Sequence, residues 1–135
     1  MTYRKPLPHV DPETRPYWEG ARRHELLIQR CLDCGTYRFY PRAHCIRCLS
    51  DRAEWIRSMG RGTIYSYTVV RQNRDPRWVA DVPYNVVLVD MEEGVRLMST
   101  VVDCPPEQLE VGMQVEVVFD DVAEEITLPK FRVRA

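Results

Sequence analysis

The sequence predicts a mainly β protein in three parts. An N-terminal arm and helix cover residues 1–25, a small cysteine-held ribbon covers 26–58, and a five-stranded closed barrel covers 59–135. Two observations carry this reading. Cys31 and Cys34 form one Cys-x-x-Cys pair, and Cys45 and Cys48 form a second after ten intervening residues. Beyond Gly60 and Gly62 the chain becomes a series of short runs rich in β-branched residues, bounded by turn residues.

The elements follow in order. Pro6, Pro8 and Pro12 make the first stretch an extended arm. Thr14 is placed to cap a short helix over residues 15–24, with Pro16 tolerated in its first turn. Tyr17, Trp18 and Ala21 fall at neighbouring helical positions and form one apolar face. Gly20 weakens that helix by about 1 kcal/mol relative to alanine. Residues 26–30 read as a strand entering the first cysteine pair. Residues 36–40 read as its partner, stopped by Pro41. Residues 49–62 read as a connector, with Trp55 and Ile56 as its apolar content. Five strand-like runs come next, at 63–70, 84–90, 95–102, 114–120 and 126–133. Met91, Glu92, Glu93 and Gly94 form a tight hairpin turn between the second and third. Five strands in so short a segment suit a closed barrel, because closure removes exposed edges. Pro129 inside the last run implies an edge position or a bulge.

The cysteine spacing has a chemical reading. Zinc prefers four soft ligands in a tetrahedron. A two-residue gap turns the chain back so that both sulfurs of a pair face one point, and Gly35 supplies the backbone freedom for that turn. A redox dithiol needs only one such pair, usually opening a helix. Two pairs closing one small loop fit a metal better, and zinc leads, with iron in a rubredoxin-like four-thiolate site as the competitor. Four thiolates leave no open position, so the metal is expected to be structural. His44 adjoins Cys45 but is outcompeted by four better ligands, and reads as an exposed loop residue. His9 and His24 read as solvated surface histidines. Cys104 is a lone thiol and reads as a core filler rather than a nucleophile.

Composition narrows the functional classes. Of 135 residues, 44% are hydrophobic and 29% charged, which describes a soluble globular chain. No apolar run approaches the ~20 residues that span a bilayer, and the N-terminus lacks a signal-peptide core. A cytoplasmic location is therefore expected, where thiols stay reduced. The net charge of -1 hides an asymmetry: residues 1–62 carry 12 Lys+Arg against 7 Asp+Glu, and residues 63–135 carry 7 against 13. Neither half has the strongly basic balance of a nucleic-acid surface. There is no Gly-rich phosphate loop, no Gly-x-Ser-x-Gly elbow and no His-Glu-x-x-His.

Several motifs together resemble one family. They are Tyr17-Trp18-Glu19-Gly20, Leu27-x-Gln29-Arg30-Cys31-x2-Cys34-Gly35, Tyr40-Pro41-Arg42 with Cys45-x2-Cys48, and the run from Gly62 to Val70. Val111-Gly112-Met113-x-Val115-Glu116-Val117 and Leu128-Pro129-Lys130-Phe131 continue the match to the C-terminal part. The chain is thus similar to the DUF35 family of zinc-ribbon and OB-fold proteins, over residues 14–135. The resemblance implies an OB-fold for the barrel. It also implies a role as a non-catalytic accessory subunit of a thiolase-like enzyme, a thiolase or aldolase acting on acyl-CoA thioesters in a degradation pathway. The partner would supply the catalytic residues, and the two chains would form a hetero-oligomer sharing the CoA thioester as ligand.

Under that reading, CoA phosphates and adenine call for cations beside aromatic rings. Arg71, Arg74, Arg77 and Trp78 in the first long barrel loop are candidates, with Lys130 and Arg132 near the C-terminus. Tyr17, Trp18, Arg22 and Arg23 on the helix suit a partner interface, where these residue types are enriched. The competing reading is a single-stranded nucleic-acid module in which Tyr65, Tyr67, Arg71 and Arg74 stack and hold a strand. The acidic barrel half opposes it. A freestanding enzyme using Cys104 lacks a neighbouring histidine or general base in the sequence.

Overall fold

Thr14 stands at the N-cap of the helix, as expected, but its side chain makes no bond to the first turn. In the computed structural model, which describes Tyr3 and residues 5–134, the Asp11 carboxylate accepts the Thr14 N–H at 2.9 Å. The Thr14 hydroxyl returns a bond from the Asp11 N–H at 3.2 Å. This reciprocal pair closes the turn that leads into the helix, in the manner of a capping box. The helix, α1, runs Arg15–Arg22. Its buried face is Tyr17, Gly20 and Ala21. Gly20 is there for packing: a Cβ would stand 2.6 Å from Leu27 Cδ1 and 3.2 Å from the Glu25 carbonyl.

The ribbon is a three-stranded antiparallel sheet. Strand β1 (Leu27–Cys31) lies between β2 (Tyr37–Arg38) and β3 (Ala53–Arg57). The sequence reading placed β3 inside a connector, and this is a correction. Ala53–Arg57 shows no clean alternation of burial, so the strand arises from its full five-residue pairing with β1 rather than from local pattern.

The remaining strands are β4 (Arg61–Val70), β5 (Tyr84–Met91), β6 (Arg96–Ser99), β7 (Gln114–Asp121) and β8 (Thr127–Val133). They form one antiparallel sheet in the order β6-β5-β4-β7-β8, with a bulge in β4 between Ile64 and Ser66. The sheet curls until its edges meet, where Val101 bridges Phe131 in parallel. The Val102 N–H donates to Phe131 O at 2.7 Å, and the Phe131 N–H donates to Thr100 O at 2.9 Å. Buried Asn85 braces this seam: its Oδ1 accepts the Val101 N–H at 2.7 Å and its Nδ2 donates to Val101 O at 2.8 Å. The result is the partly open five-stranded barrel of an OB-fold. Pro129 sits on edge strand β8, the first of the two positions its sequence implied.

One apolar core joins the parts. Ile64, Val87, Val89, Val115 and Phe131 fill the barrel and are continuous with Tyr17, Leu26 and Ile28 from the helix and ribbon. Two polar ties flank it. Glu93 in the β5–β6 turn accepts bonds from the Ser58 hydroxyl and the Met59 N–H, both at 2.9 Å. His24 is exposed, as the sequence reading expects, and it also stacks on Phe119 at 5.0 Å and bonds Asp121 at 3.0 Å. It fastens the end of α1 to β7.

Candidate functional site

The metal centre is built by two similar knuckles. β1 ends at Cys31 and turns through Gly35, whose φ of +78° suits glycine, so that Cys34 folds back beside it. The second pair repeats the turn at Cys45 and Cys48. All four Sγ atoms lie within 4.8 Å of one another, with Cys31–Cys48 at 3.5 Å and Cys34–Cys45 at 3.6 Å. A zinc–sulfur bond of about 2.3 Å places tetrahedral sulfurs ~3.8 Å apart, so the cluster has the size zinc requires. Backbone N–H groups point at the sulfurs and stabilise thiolate. The Cys34 and Asp33 amides hold the Cys31 thiol below its ordinary range, and the Cys48 and Arg47 amides do so for Cys45. Cys34 is lowered mainly by the Thr36 hydroxyl and amide. The Ser50 amide also favours the Cys48 thiolate, but burial and the three neighbouring sulfurs push that thiol up to about 12. Four sulfurs this close need a cation to ionise together, and a dication supplies it.

A cavity of about 670 Å³ opens where α1, the end of the ribbon and the barrel meet. Its walls are aromatic. Tyr17 packs edge-on to Trp18 at 4.9 Å and against Phe39 at 5.3 Å, Phe39 meets Tyr40 at 4.5 Å, and Trp78 meets Tyr84 at 5.3 Å. Burial pushes the Tyr17 hydroxyl above the ordinary tyrosine range, so it stays protonated and a donor. Three cations line the same space: Lys5, Arg42 and Lys130. Lys5 pairs with Asp81 and lies 5.2 Å from the Trp78 ring, and Lys130 bonds Asp120 at 2.6 Å. The hydrogen bond that Lys5 donates to Asp81 raises its ammonium above the ordinary value, fixing its charge.

The residues singled out in the sequence divide around this cavity. Trp78 and Lys130 line it, as do Tyr17 and Trp18. Arg77 is held by Asp75 through bonds of 2.6–3.2 Å, and Arg132 is held by Glu116 at 2.9 Å on the outer face of β7 and β8. Arg71 and Arg74 are exposed on the loop and are not among the walls. Arg22 and Arg23 are exposed at the end of α1, where Arg23 pairs with Glu25 at 3.3 Å. Lys5, Phe39, Tyr40, Arg42 and Tyr84 were missed. Phe39-Tyr40-Pro41-Arg42 carried a visible signal, an aromatic pair and a cation at a forced strand end, whereas Lys5 reaches the cavity only because the arm folds back. Cys104 is half-buried beside Pro105, and no cysteine or histidine lines the cavity among the described residues.

Tyr65 and Tyr67, the pair a base-stacking reading needs, are both exposed, and Tyr65 already carries a cation on one ring face. The Arg96 guanidinium lies 3.5 Å from the Tyr65 ring centroid and is fixed by Asp90 at 2.6 Å. No helix among the described residues is long and apolar enough to cross a membrane.

Comparison with known proteins agrees with this architecture. Residues 18–54 match the family model for the ChsH2 rubredoxin-like zinc ribbon domain, and residues 55–120 match that for the ChsH2 C-terminal OB-fold domain. A DUF35 domain-containing scaffold protein of Methanothermobacter thermautotrophicus is 38% identical over 84% of this chain and 86% of its own length. A probable enoyl-CoA hydratase alpha subunit of Thermomonospora curvata is 34% identical over 95% of this chain, which spans only 40% of that relative's length. The solved structure of an Ltp2-ChsH2(DUF35) aldolase contains a chain that superposes with a TM-score of 0.86 at 34% identity, over 94% of this chain and 98% of that one. Both sheets, the four-cysteine centre and these matches run through the same residues, and the chain belongs to the DUF35 family.

Proposed function

We propose that this chain is a non-catalytic accessory subunit of an enzyme acting on CoA thioesters, docking on a thiolase-like partner and supplying part of the wall that holds the CoA ester. The observation that carries the reading is the cavity at the junction of helix, ribbon and barrel. It offers aromatic faces and three cations, which suit binding and orientation. In this reading Trp78 and Tyr84 stack the adenine, while Lys5, Lys130 and Arg42 face the phosphates. Arg71 and Arg74 extend the cation set at the exposed loop. Tyr17 offers a neutral hydroxyl to a carbonyl of the ligand. Cys31, Cys34, Cys45 and Cys48 hold a structural zinc that fixes the ribbon edge of the cavity. Relatives named as a scaffold, a hydratase alpha subunit and part of an aldolase support the subunit role. A reducing compartment such as the cytoplasm suits four thiols that serve as metal ligands.

Trp18 and Trp78 both line the cavity, so their fluorescence reports its occupancy. Titration with acetyl-CoA is expected to quench it saturably, with Lys130→Ala weakening binding by roughly tenfold through loss of one charge-assisted contact. Absence of saturable quenching, in the chain alone and in its complex, would refute the CoA assignment.

A further inference from the structure

Arg38 presents a chemical problem that the cavity does not use. It is 4% exposed and sits on β2 of the ribbon. Its Nε donates to Gln29 Oε1 at 2.9 Å, and its Nη2 donates to the Arg42 carbonyl at 2.8 Å. Its Nη1 is buried and finds no protein acceptor. Both partners it does have are neutral, and no carboxylate pairs with it among the described residues. A buried guanidinium without a counter-charge is among the costlier arrangements in a protein.

Arg38 lines a second hollow of about 440 Å³ between the entry to α1 and β3, and Arg42 borders both this hollow and the cavity. Glu13, Arg42, Asp51 and Trp55 share its walls. Glu13 is already used by the Ala43 N–H at 2.6 Å. With Glu13 and Asp51 at the rim, a multiply charged anion such as phosphate meets repulsion. A single carboxylate meets less repulsion and needs only one guanidinium, and that of Arg38 has neutral partners alone. The planar fork of a guanidinium also matches a carboxylate in shape. Residues 1–62 carry 12 Lys+Arg against 7 Asp+Glu, an excess of five that becomes three when four thiolates hold one zinc, and this steers an acidic surface toward this half of the chain.

We propose that this hollow receives an acidic side chain of the partner subunit, whose carboxylate completes the hydrogen bonding of Arg38. The hollow is thus a charged docking point that adjoins the ligand cavity at Arg42, and it rests on the subunit reading above. Two measurements separate the failure of one from the failure of the other. The first needs no partner. In the zinc-loaded wild-type chain, the Arg38 side-chain N–H signals are followed by NMR during titration with the capped peptide acetyl-Gly-Glu-Gly-amide, its Gln analogue, and sodium acetate. The Glu peptide is expected to shift them saturably, and the Gln peptide to leave them in place. Equal response to Glu and Gln, response to acetate alone, or exchange with water only would each overturn the proposal. The second uses the co-purified complex. Arg38→Met is expected to weaken assembly by at least roughly tenfold, while Arg38→Lys keeps part of the affinity. Unchanged assembly of a folded, zinc-loaded Arg38→Met chain would overturn it, whatever the CoA titration shows.

Discussion

At Gly62 the backbone of β4 runs so close to β5 that a Cβ would stand 2.5 Å from Val89 Cγ1 and 2.8 Å from the Asp90 carbonyl. The side chain of Val89 has rotamers to move into, but the Asp90 carbonyl belongs to the sheet and cannot yield. Gly62→Ala should therefore lower stability by about 1–3 kcal/mol, seen as a lower melting temperature at unchanged zinc content. Asn85 makes the complementary case. Its amide holds the barrel seam through Val101 and also accepts the Thr100 hydroxyl at 2.9 Å. Asn85→Ala strands a buried N–H and should cost about 1–3 kcal/mol. It should also disturb acetyl-CoA quenching more than Gly62→Ala does, because Asn85 and Thr100 both border the cavity. The cysteines were legible in the sequence because their chemistry is written in spacing a few residues wide. The role of Asn85 was not, since its partners lie fifteen and sixteen residues away and nothing local marks an asparagine as buried.

At the scale of elements, the ribbon depends on metal and the barrel on its core. The ribbon's three strands are short, and β2 has two residues, so zinc binding supplies much of its folding free energy. Removing zinc with a strong chelator should melt the ribbon and lose its amide-exchange protection, while β4, β5 and β7 keep theirs. Protons compete with zinc for the thiolates, so acid should release it. The loop before β5 should outlast that release. The Arg77 side chain and amide hold the Asp75 carboxyl down to about 2, below its ordinary value near 3.9. A depressed carboxylate contributes stability above the unfolded value and loses it as pH falls through the folded one. The clasp should thus persist at pH 4 and open near pH 2, as read from the Asp75 carboxyl shift. The barrel strands were readable because each alternates or is rich in β-branched residues, as β5 does with every second residue buried. β3 was not, because Ala53–Arg57 owes its form to β1, more than twenty residues upstream.

At the scale of the whole molecule, zinc, helix and barrel converge on one space. The ribbon sets Phe39, Tyr40 and Arg42 on one side, α1 sets Tyr17 and Trp18 beside them, and the barrel contributes Trp78, Tyr84 and Lys130 opposite. The wall is assembled from parts far apart in the chain. Local spacing showed that aromatic and basic residues were present, and it could not show which of them share a cavity. Arg77 and Arg132 illustrate the difference, since each is held by a carboxylate on its own loop or neighbouring strand. The reading of a shared CoA site predicts that assembly and ligand binding are coupled through this junction. The most direct test is purification of the chain from its native source at low salt, with mass identification of whatever accompanies it. The account predicts a thiolase-like chain in fixed stoichiometry with this one. A stable, zinc-loaded chain that travels alone, or one accompanied by nucleic acid, would contradict it.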